Sequence, residues 1–356
     1  MHIHYTVAFA IAFISCLVLL RLLYPFAIRI RLVDKPCGRK VHEGEVPLIG
    51  GLAMFGGFVI TLLIAAPELN LFRGLLLSAT ILIIVGALDD HHNMSVRQRL
   101  FFQIFVVLIM TSYSNVVVND MGNLLGMGNI ALAGWAIPFT VVAAVGSMNA
   151  LNMTDGIDGL AGISSLVCFL AVFFLYSLSG ETHLSEDIIC KPLLFSAVLI
   201  PFIWMNLNKT TKVFMGDSGS MFLGFGVAWV LVEATQGEKA VMAPVTALWV
   251  FALPLIDMWS IMLRRMRKHQ SPFRPDRDHL HHVFLRAGFS HRATVNILCL
   301  ISMLLACVGI VGHVYQVPEW VMFLGFVFIL AAYIWGMSYI WVVLKYVRQR
   351  SERHTV

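Results

Sequence analysis

Residues 131–178 read ALAGWAIPFTVVAAVGSMNALNMTDGIDGLAGISSLVCFLAVFFLYSL, and this stretch decides the fold. Its only charged side chains are Asp155 and Asp158, which sit in the short polar hinge NALNMTDGIDG at 149–159. The flanking apolar runs, 131–149 and 159–178, each match the length of about 20 residues that a helix needs to cross a bilayer. The same grain repeats outward along the whole chain. Further apolar runs fall near 5–24, 47–66, 71–88, 100–118, 192–207, 218–234, 242–263, 294–314 and 319–345. None alternates apolar and polar residues in segments of about ten, as an outer-membrane barrel would. The expectation is an all-α integral membrane protein, one polytopic domain over 1–356, built as a bundle of about eleven transmembrane helices.

Composition agrees. Of 356 residues, 59% are hydrophobic and 13% charged, whereas an average soluble domain carries about 25% charged residues. A soluble enzyme, a disordered chain and a disulfide-stapled secreted fold are excluded. The six cysteines (Cys16, Cys37, Cys168, Cys190, Cys299, Cys307) show no CxxC spacing and read as small packing residues. The first run follows Met-His-Ile-His-Tyr-Thr, without the basic flank and cleavage site of a secretory signal, so it is expected to stay as a span.

Lysine and arginine in the connections give the orientation. Twenty-one basic residues fall in 25–45, at Arg97 and Arg99, at Lys209 and Lys212, from Arg264 to Arg292, and at the C-terminus. Only Arg73, Lys191 and Lys239 fall on the opposite side. The N-terminus is therefore expected in the periplasm, with the C-terminus and the polar loops in the cytoplasm. The net charge of +5 follows from this topology and gives no argument for a nucleic-acid partner.

Five polar clusters interrupt the apolar text, all on the expected cytoplasmic side: Asp34-Lys35-Pro36; Asp89-Asp90-His91-His92-Asn93; Asn152 to Gly159, with Asp155 and Asp158; Asn206 followed by the 213–220 stretch with Asp217; and Arg274 to His282, with His279, His281 and His282. Asp89 and Asp90 end a helix, where negative charge is unfavourable, so a cation is expected to offset them. Asp217 lies between Gly216 and Ser218-Gly219, where an N-cap explains it almost as well as a ligand role does. Asp155 and Asp158 share a face if helical. The carboxylates and amides suit Mg²⁺ or Mn²⁺ better than zinc, and no Walker loop is present. Metal-assisted phosphoryl transfer to a lipid at the interface fits this set.

With NMTDGIDGL at 152–160, VFMGDSGS at 213–220, SPFRPDRDHLHH at 271–282 and the Asp89-Asp90 pair, the chain resembles the polyprenyl-phosphate N-acetylhexosamine-1-phosphate transferases. The likeness runs from Val33 to Met322 and is strongest to the branch that acts with N-acetylglucosamine. It implies an enzyme of the bacterial inner membrane with the active site on cytoplasmic loops. The implied reaction passes N-acetylglucosamine-1-phosphate from UDP-N-acetylglucosamine to undecaprenyl phosphate and releases UMP, the first membrane step of O-antigen or enterobacterial common antigen assembly. The resemblance further implies Asp217 and Asn152 as ligands of Mg²⁺ (or Mn²⁺). It makes Asp89, Asp90, Asp155 and Asp158 catalytic acids. His279, His281, His282, Arg265, Asp34, Lys35 and Asn206 become substrate-binding residues. A homodimer and the choice between direct attack and an aspartyl-phosphate are left open.

One departure is Asn93, where the family usually has a third aspartate. The sister branch that transfers phospho-N-acetylmuramoyl-pentapeptide shows consecutive histidines, and this chain has His-Leu-His-His. A secondary transporter is the reading from another class. It fits less well, because ionisable residues at depth are few, mainly Glu233 and Asp257. Asp257 is expected to point inward and to support the loop that carries Arg264 and Arg265.

Overall fold

The computed structural model describes residues 5–34, 44–65, 72–92, 94–179, 186–238, 240–271 and 279–353. Lys35, Asn93 and the acidic and basic positions of 274–278 lie outside the described residues. Each expected apolar run is helical. In order these are α1 (Tyr5–Ile30), α2 (Gly50–Ala65), α3 (Arg73–His92), α4 (Val96–Ser114), α5 (Ala136–Thr154), α6 (Leu160–Leu178), α7 (Glu186–Asn206), α8 (Gly216–Thr235), α9 (Pro244–Val250), α10 (Ala252–Arg267), a short α11 (Leu280–Arg286), α12 (His291–Val314) and α13 (Glu319–Arg353).

Among the described residues, eight helices are long and apolar enough to cross a membrane, or nine if α9 and α10 count as one span. The protein is thus a multi-pass helical membrane protein. The expected count of eleven is larger because α2 has only 16 residues and α4 opens on Arg97 and Arg99. Large apolar side chains such as Ile14, Leu22, Leu63, Val142 and Phe328 are exposed on the outside of the bundle, as a surface solvated by lipid requires.

The run at 242–263, expected as one span, is broken: α9 and α10 meet at 83°. Pro254 supplies the reason. It has no N–H to return to the Val250 carbonyl, so the helix stops and restarts at Phe251. The break turns α10 so that its last turn, with Arg264, Arg265 and Arg267, places cations at a helix C-terminus, where the dipole favours them.

Helix α8 is the axis of the bundle. Every residue from Ser218 to Val230 is buried, and α2, α3, α5, α6 and α7 all pack on it. Lipid tails are as apolar as leucine, so close packing and interhelical hydrogen bonds hold such helices together. Phe195 of α7 stacks on Phe169 of α6 at 4.7 Å and meets Phe222 of α8 at 5.2 Å. Ser147 Oγ of α5 donates to the Gly224 carbonyl of α8 at 3.0 Å. A buried ion pair also links α7 and α8: Lys191 Nζ donates to Glu233 Oε1 at 2.7 Å.

A two-stranded hairpin, β1 (Val33–Asp34) and β2 (Val46–Pro47), lies at the end of the bundle where α8 begins. Phe214 N donates to Pro47 O at 2.9 Å, and Gly50 N returns a bond to Phe214 O at 2.9 Å. These ties anchor the segment leading into Asp217.

Candidate active site

Four segments converge at this end: the last turn of α3, the turn between α5 and α6, the start of α8, and α11 with the residue before it. Asp89 and Asp90 are consecutive on α3, so they point about 100° apart and meet different partners. Asp90 reaches across to α8. Its Oδ1 accepts from Asp217 N at 2.7 Å, and its Oδ2 accepts from Ser218 N at 3.3 Å and Ser218 Oγ at 3.2 Å. A carboxylate from one helix thereby caps the N-terminus of another, satisfying donors that have no partner within their own helix. Gly216 makes the fit possible: its φ is +72°, and a Cβ there would strike the Asp90 carboxylate.

Asp89 is buried. Its Oδ1 accepts from Met94 N at 2.6 Å, closing the connection to α4, and its Oδ2 forms an ion pair with Arg99 at 3.3 Å without hydrogen-bond geometry. The cation expected beside this helix end is thus two groups, Arg99 for Asp89 and the positive end of α8 for Asp90.

With Asp90 acting as the cap, the Asp217 side chain is left to face α5. Asn152 Nδ2 donates to Asp217 Oδ1 at 2.5 Å and to Ser220 Oγ at 2.9 Å. Three residues on, Asp155 closes α5, and Asp155 to Gly159 form a tight turn before α6. Asp155 and Asp158 are therefore turn residues and do not share a helical face. Burial holds the Asp155 carboxyl well above the usual carboxylate range, and the nearby charges of Asp217, Asp158 and Asp90 push it further up. Lys212 Nζ meets Asp158 Oδ2 at 2.6 Å.

The histidines dock onto the same turn. The three rings cluster, with His281 and His282 at 4.2 Å and His279 and His281 at 5.6 Å between centroids. A Cβ at Gly156 would lie 2.6 Å from the His281 ring, so only glycine lets α11 approach this closely. Burial, then the neighbouring His282 and His279, push His281 down to about 3. The His281 ring is thus seated against the Gly156 turn in a setting that favours its neutral form. His279 Nδ1 pairs with Asp257 Oδ2 at 3.0 Å. Asp257 points inward as expected, but the segment it holds is the histidine loop.

Other expected substrate contacts fall elsewhere. Asn206 has both ends of its amide engaged by backbone, accepting from Gly159 N at 2.6 Å and donating to Val213 O at 2.8 Å. It is a bracket that joins the acid turn to the α8 segment. Arg265 is buried within the last turn of α10. Asp34 lies on β1 opposite Val46, with β2 between it and Phe214. Arg99, Lys212 and Tyr333 belong to the site or its support and were not expected there, while Ser218 and Ser220 had been part of the 213–220 motif without a role. Arg99 and Lys212 had registered only as topology charges.

Residues 72–235, which contain the acid cluster and α8, match the model of Glycosyl transferase family 4. The chain is 39% identical over 331 residues to the undecaprenyl-phosphate alpha-N-acetylglucosaminyl 1-phosphate transferase of Yersinia pestis, covering 92% of this chain and 90% of the relative. To the protein of that name from Haemophilus influenzae it is 38% identical over 350 residues, covering 96% and 97%. To that from Escherichia coli K12 it is 37% identical over 334 residues, covering 91% and 89%.

Proposed function

Because the chain belongs to Glycosyl transferase family 4, among the undecaprenyl-phosphate alpha-N-acetylglucosaminyl 1-phosphate transferases, we propose that it moves N-acetylglucosamine-1-phosphate from UDP-N-acetylglucosamine to undecaprenyl phosphate. A lipid phosphate oxygen forms a bond to the sugar-bearing phosphorus as the bridging oxygen leaves with UMP, so one diphosphate linkage replaces another. The observation that carries this reading is the meeting of five aspartates and three histidines at one end of the bundle, around the start of α8. The lipid phosphate has a second pKa of about 6, so it is largely dianionic at neutral pH and needs no strong base. The harder task is bringing two anions together.

The scaffold leaves charge for a cation to fill. Arg99 offsets Asp89, the α8 N-terminus offsets Asp90 and Lys212 offsets Asp158, while Asp155 and Asp217 have no cationic partner among the described residues. No three of His, Cys, Asp and Glu among the described residues cage a metal by themselves. Mg²⁺ is usually held by one or two carboxylates, waters and substrate phosphates, so this donor set fits it. Asp217 would hold Mg²⁺ (or Mn²⁺), with Asn152 fixing that carboxylate and offering its amide oxygen. When bound, the cation supplies positive charge to the diphosphate. The proposed setting is the bacterial inner membrane, with eleven spans (α1 to α8, the α9–α10 pair, α12 and α13), the N-terminus periplasmic and the site cytoplasmic.

The test is UMP release by purified protein from a panel of UDP-sugars with undecaprenyl phosphate and Mg²⁺. Turnover with UDP-N-acetylglucosamine is expected. Turnover only with the muramoyl-pentapeptide nucleotide would place the chain in the sister branch.

A further inference from the structure

Asp257 lies in α10, just past the break, and accepts three hydrogen bonds. His279 Nδ1 meets its Oδ2 at 3.0 Å, Leu280 N donates to Oδ1 at 3.2 Å, and Tyr333 Oη of α13 donates to Oδ1 at 2.6 Å. An ionised carboxylate only accepts, so His279 carries its hydrogen on Nδ1 and the ring is locked in one tautomer and one orientation. Leu280 N begins α11, so the same carboxylate fixes both the ring and the start of its helix. Tyr333 comes from 76 residues further along the chain. Its hydroxyl holds the one carboxylate oxygen that the imidazole does not use.

We propose that Tyr333 and Asp257 are positioning residues that present His279 Nε2 to the diphosphate of the nucleotide sugar. This rests on the substrate reading above. With Nδ1 committed, Nε2 on the far edge is the nitrogen left for substrate. In its charged form the ring donates from Nε2 to a phosphoryl oxygen, and Asp257 balances the charge. The stacking of His279 on His281, nearly parallel at 13°, and the seating of His281 against Gly156 tie this ring to the turn bearing Asp155 and Asp158. Around the triad stand His281 of α11 and Arg264 of α10, with His282 of α11 and His291 of α12 beyond, both acting on His281.

A mutant cycle tests it in purified full-length protein by UMP release with both substrates varied. Tyr333→Phe keeps the ring and removes one hydrogen bond to a charged acceptor. It is expected to raise KM for UDP-N-acetylglucosamine about five-fold, a part of what a hydrogen bond to a charged group is worth because Tyr333 acts only through the ring, with KM for the lipid phosphate unchanged. Asp257→Asn is expected to do more, because an amide cannot accept at both positions. In a His279→Ala background, Tyr333→Phe is expected to cost nothing further, since it acts only through that ring. Kinetics for Tyr333→Phe that match the parent would overturn the proposal. So would an equal rise in both KM values, or a full additional loss on top of His279→Ala. A parent protein active only with a different UDP-sugar would overturn the substrate reading alone, and the same cycle run with that sugar then decides the triad.

Discussion

Arg99 offers the sharpest test of how the acid cluster is held. The Asp89 side chain is 3% exposed, and its Oδ2 has no hydrogen-bond donor, only the Arg99 guanidinium at 3.3 Å. Arg99→Ala leaves a buried carboxylate uncompensated, with Asp217 nearby as a like charge. Breaking a fully buried pair costs about 3–5 kcal/mol. Arg99 is 28% exposed, so water recovers part of this and about 2 kcal/mol is expected. At an unfolding entropy of about 2 cal/mol/K per residue, the thermal midpoint in detergent should fall about 3 °C. Asp89→Asn keeps an acceptor for Met94 N and removes the charge, so it should cost about 1 kcal/mol. The double mutant should then be no less stable than Arg99→Ala alone, a coupling of about 1 kcal/mol or more. The assay is the midpoint of the four proteins at one scan rate, with UMP release alongside. Additive losses, or a shift below half a degree for Arg99→Ala, would refute the pairing as a stabilising element.

Asp217→Asn should lower turnover by about 10²–10³-fold, the scale of a lost electrostatic stabiliser, while the midpoint holds or rises because repulsion with Asp90 and Asp155 is relieved; excess EDTA should silence the parent, and full turnover in EDTA would remove the metal. His281 sits at about 3 in the fold against its usual 6.5, so below pH 6.5 the unfolded chain binds the proton and the fold does not. Stability should therefore fall from pH 6.5 towards pH 3 by about 1.4 kcal/mol per unit. His281→Gln should flatten that part of the midpoint–pH curve, and an unchanged slope would contradict the buried neutral ring. The Lys212–Asp158 pair is part-exposed and worth less than about 1 kcal/mol. Lys212→Ala should leave the midpoint within a degree yet lower kcat/KM for the nucleotide sugar about ten-fold, and unchanged kinetics would limit Lys212 to surface pairing.

Apolar runs of span length need no partner to be recognised, so the helices were legible from the sequence. The break at Phe251 was harder, since 242–263 stays apolar throughout, although Pro254 was the available signal. The acid cluster was legible as residues but not as roles. Asp90 and the α8 N–H groups it caps are 127 positions apart, and no local pattern announces a cap supplied by another helix. Asn206 reads as a polar residue beside a motif, and only the fold shows that Gly159 and Val213 use both ends of its amide. Tyr333 gave no signal, because one tyrosine in an apolar span is ordinary until Asp257 is found beside it.

These placements explain why so many like charges persist at one membrane interface. Carboxylates so close destabilise one another by several kcal/mol in a low-dielectric setting unless each is compensated. Three of the five are compensated by the protein, and each compensator also fixes backbone: Arg99 at the start of α4, the N–H groups of α8, and Lys212 beside Phe214, whose ring lies 4.9 Å from the ammonium. Asp155 ends α5 and Asp217 begins α8, close enough for Asp217 to raise Asp155, and neither has such a partner among the described residues. Burial and the Asp217 charge hold the Asp155 carboxyl up, so positive charge placed between the two would favour its ionised form. The fold thus concentrates its uncompensated charge where two anionic substrates must meet. An apolar or fully paired site there would be more stable and would have no unmatched charge with which to hold the proposed cation.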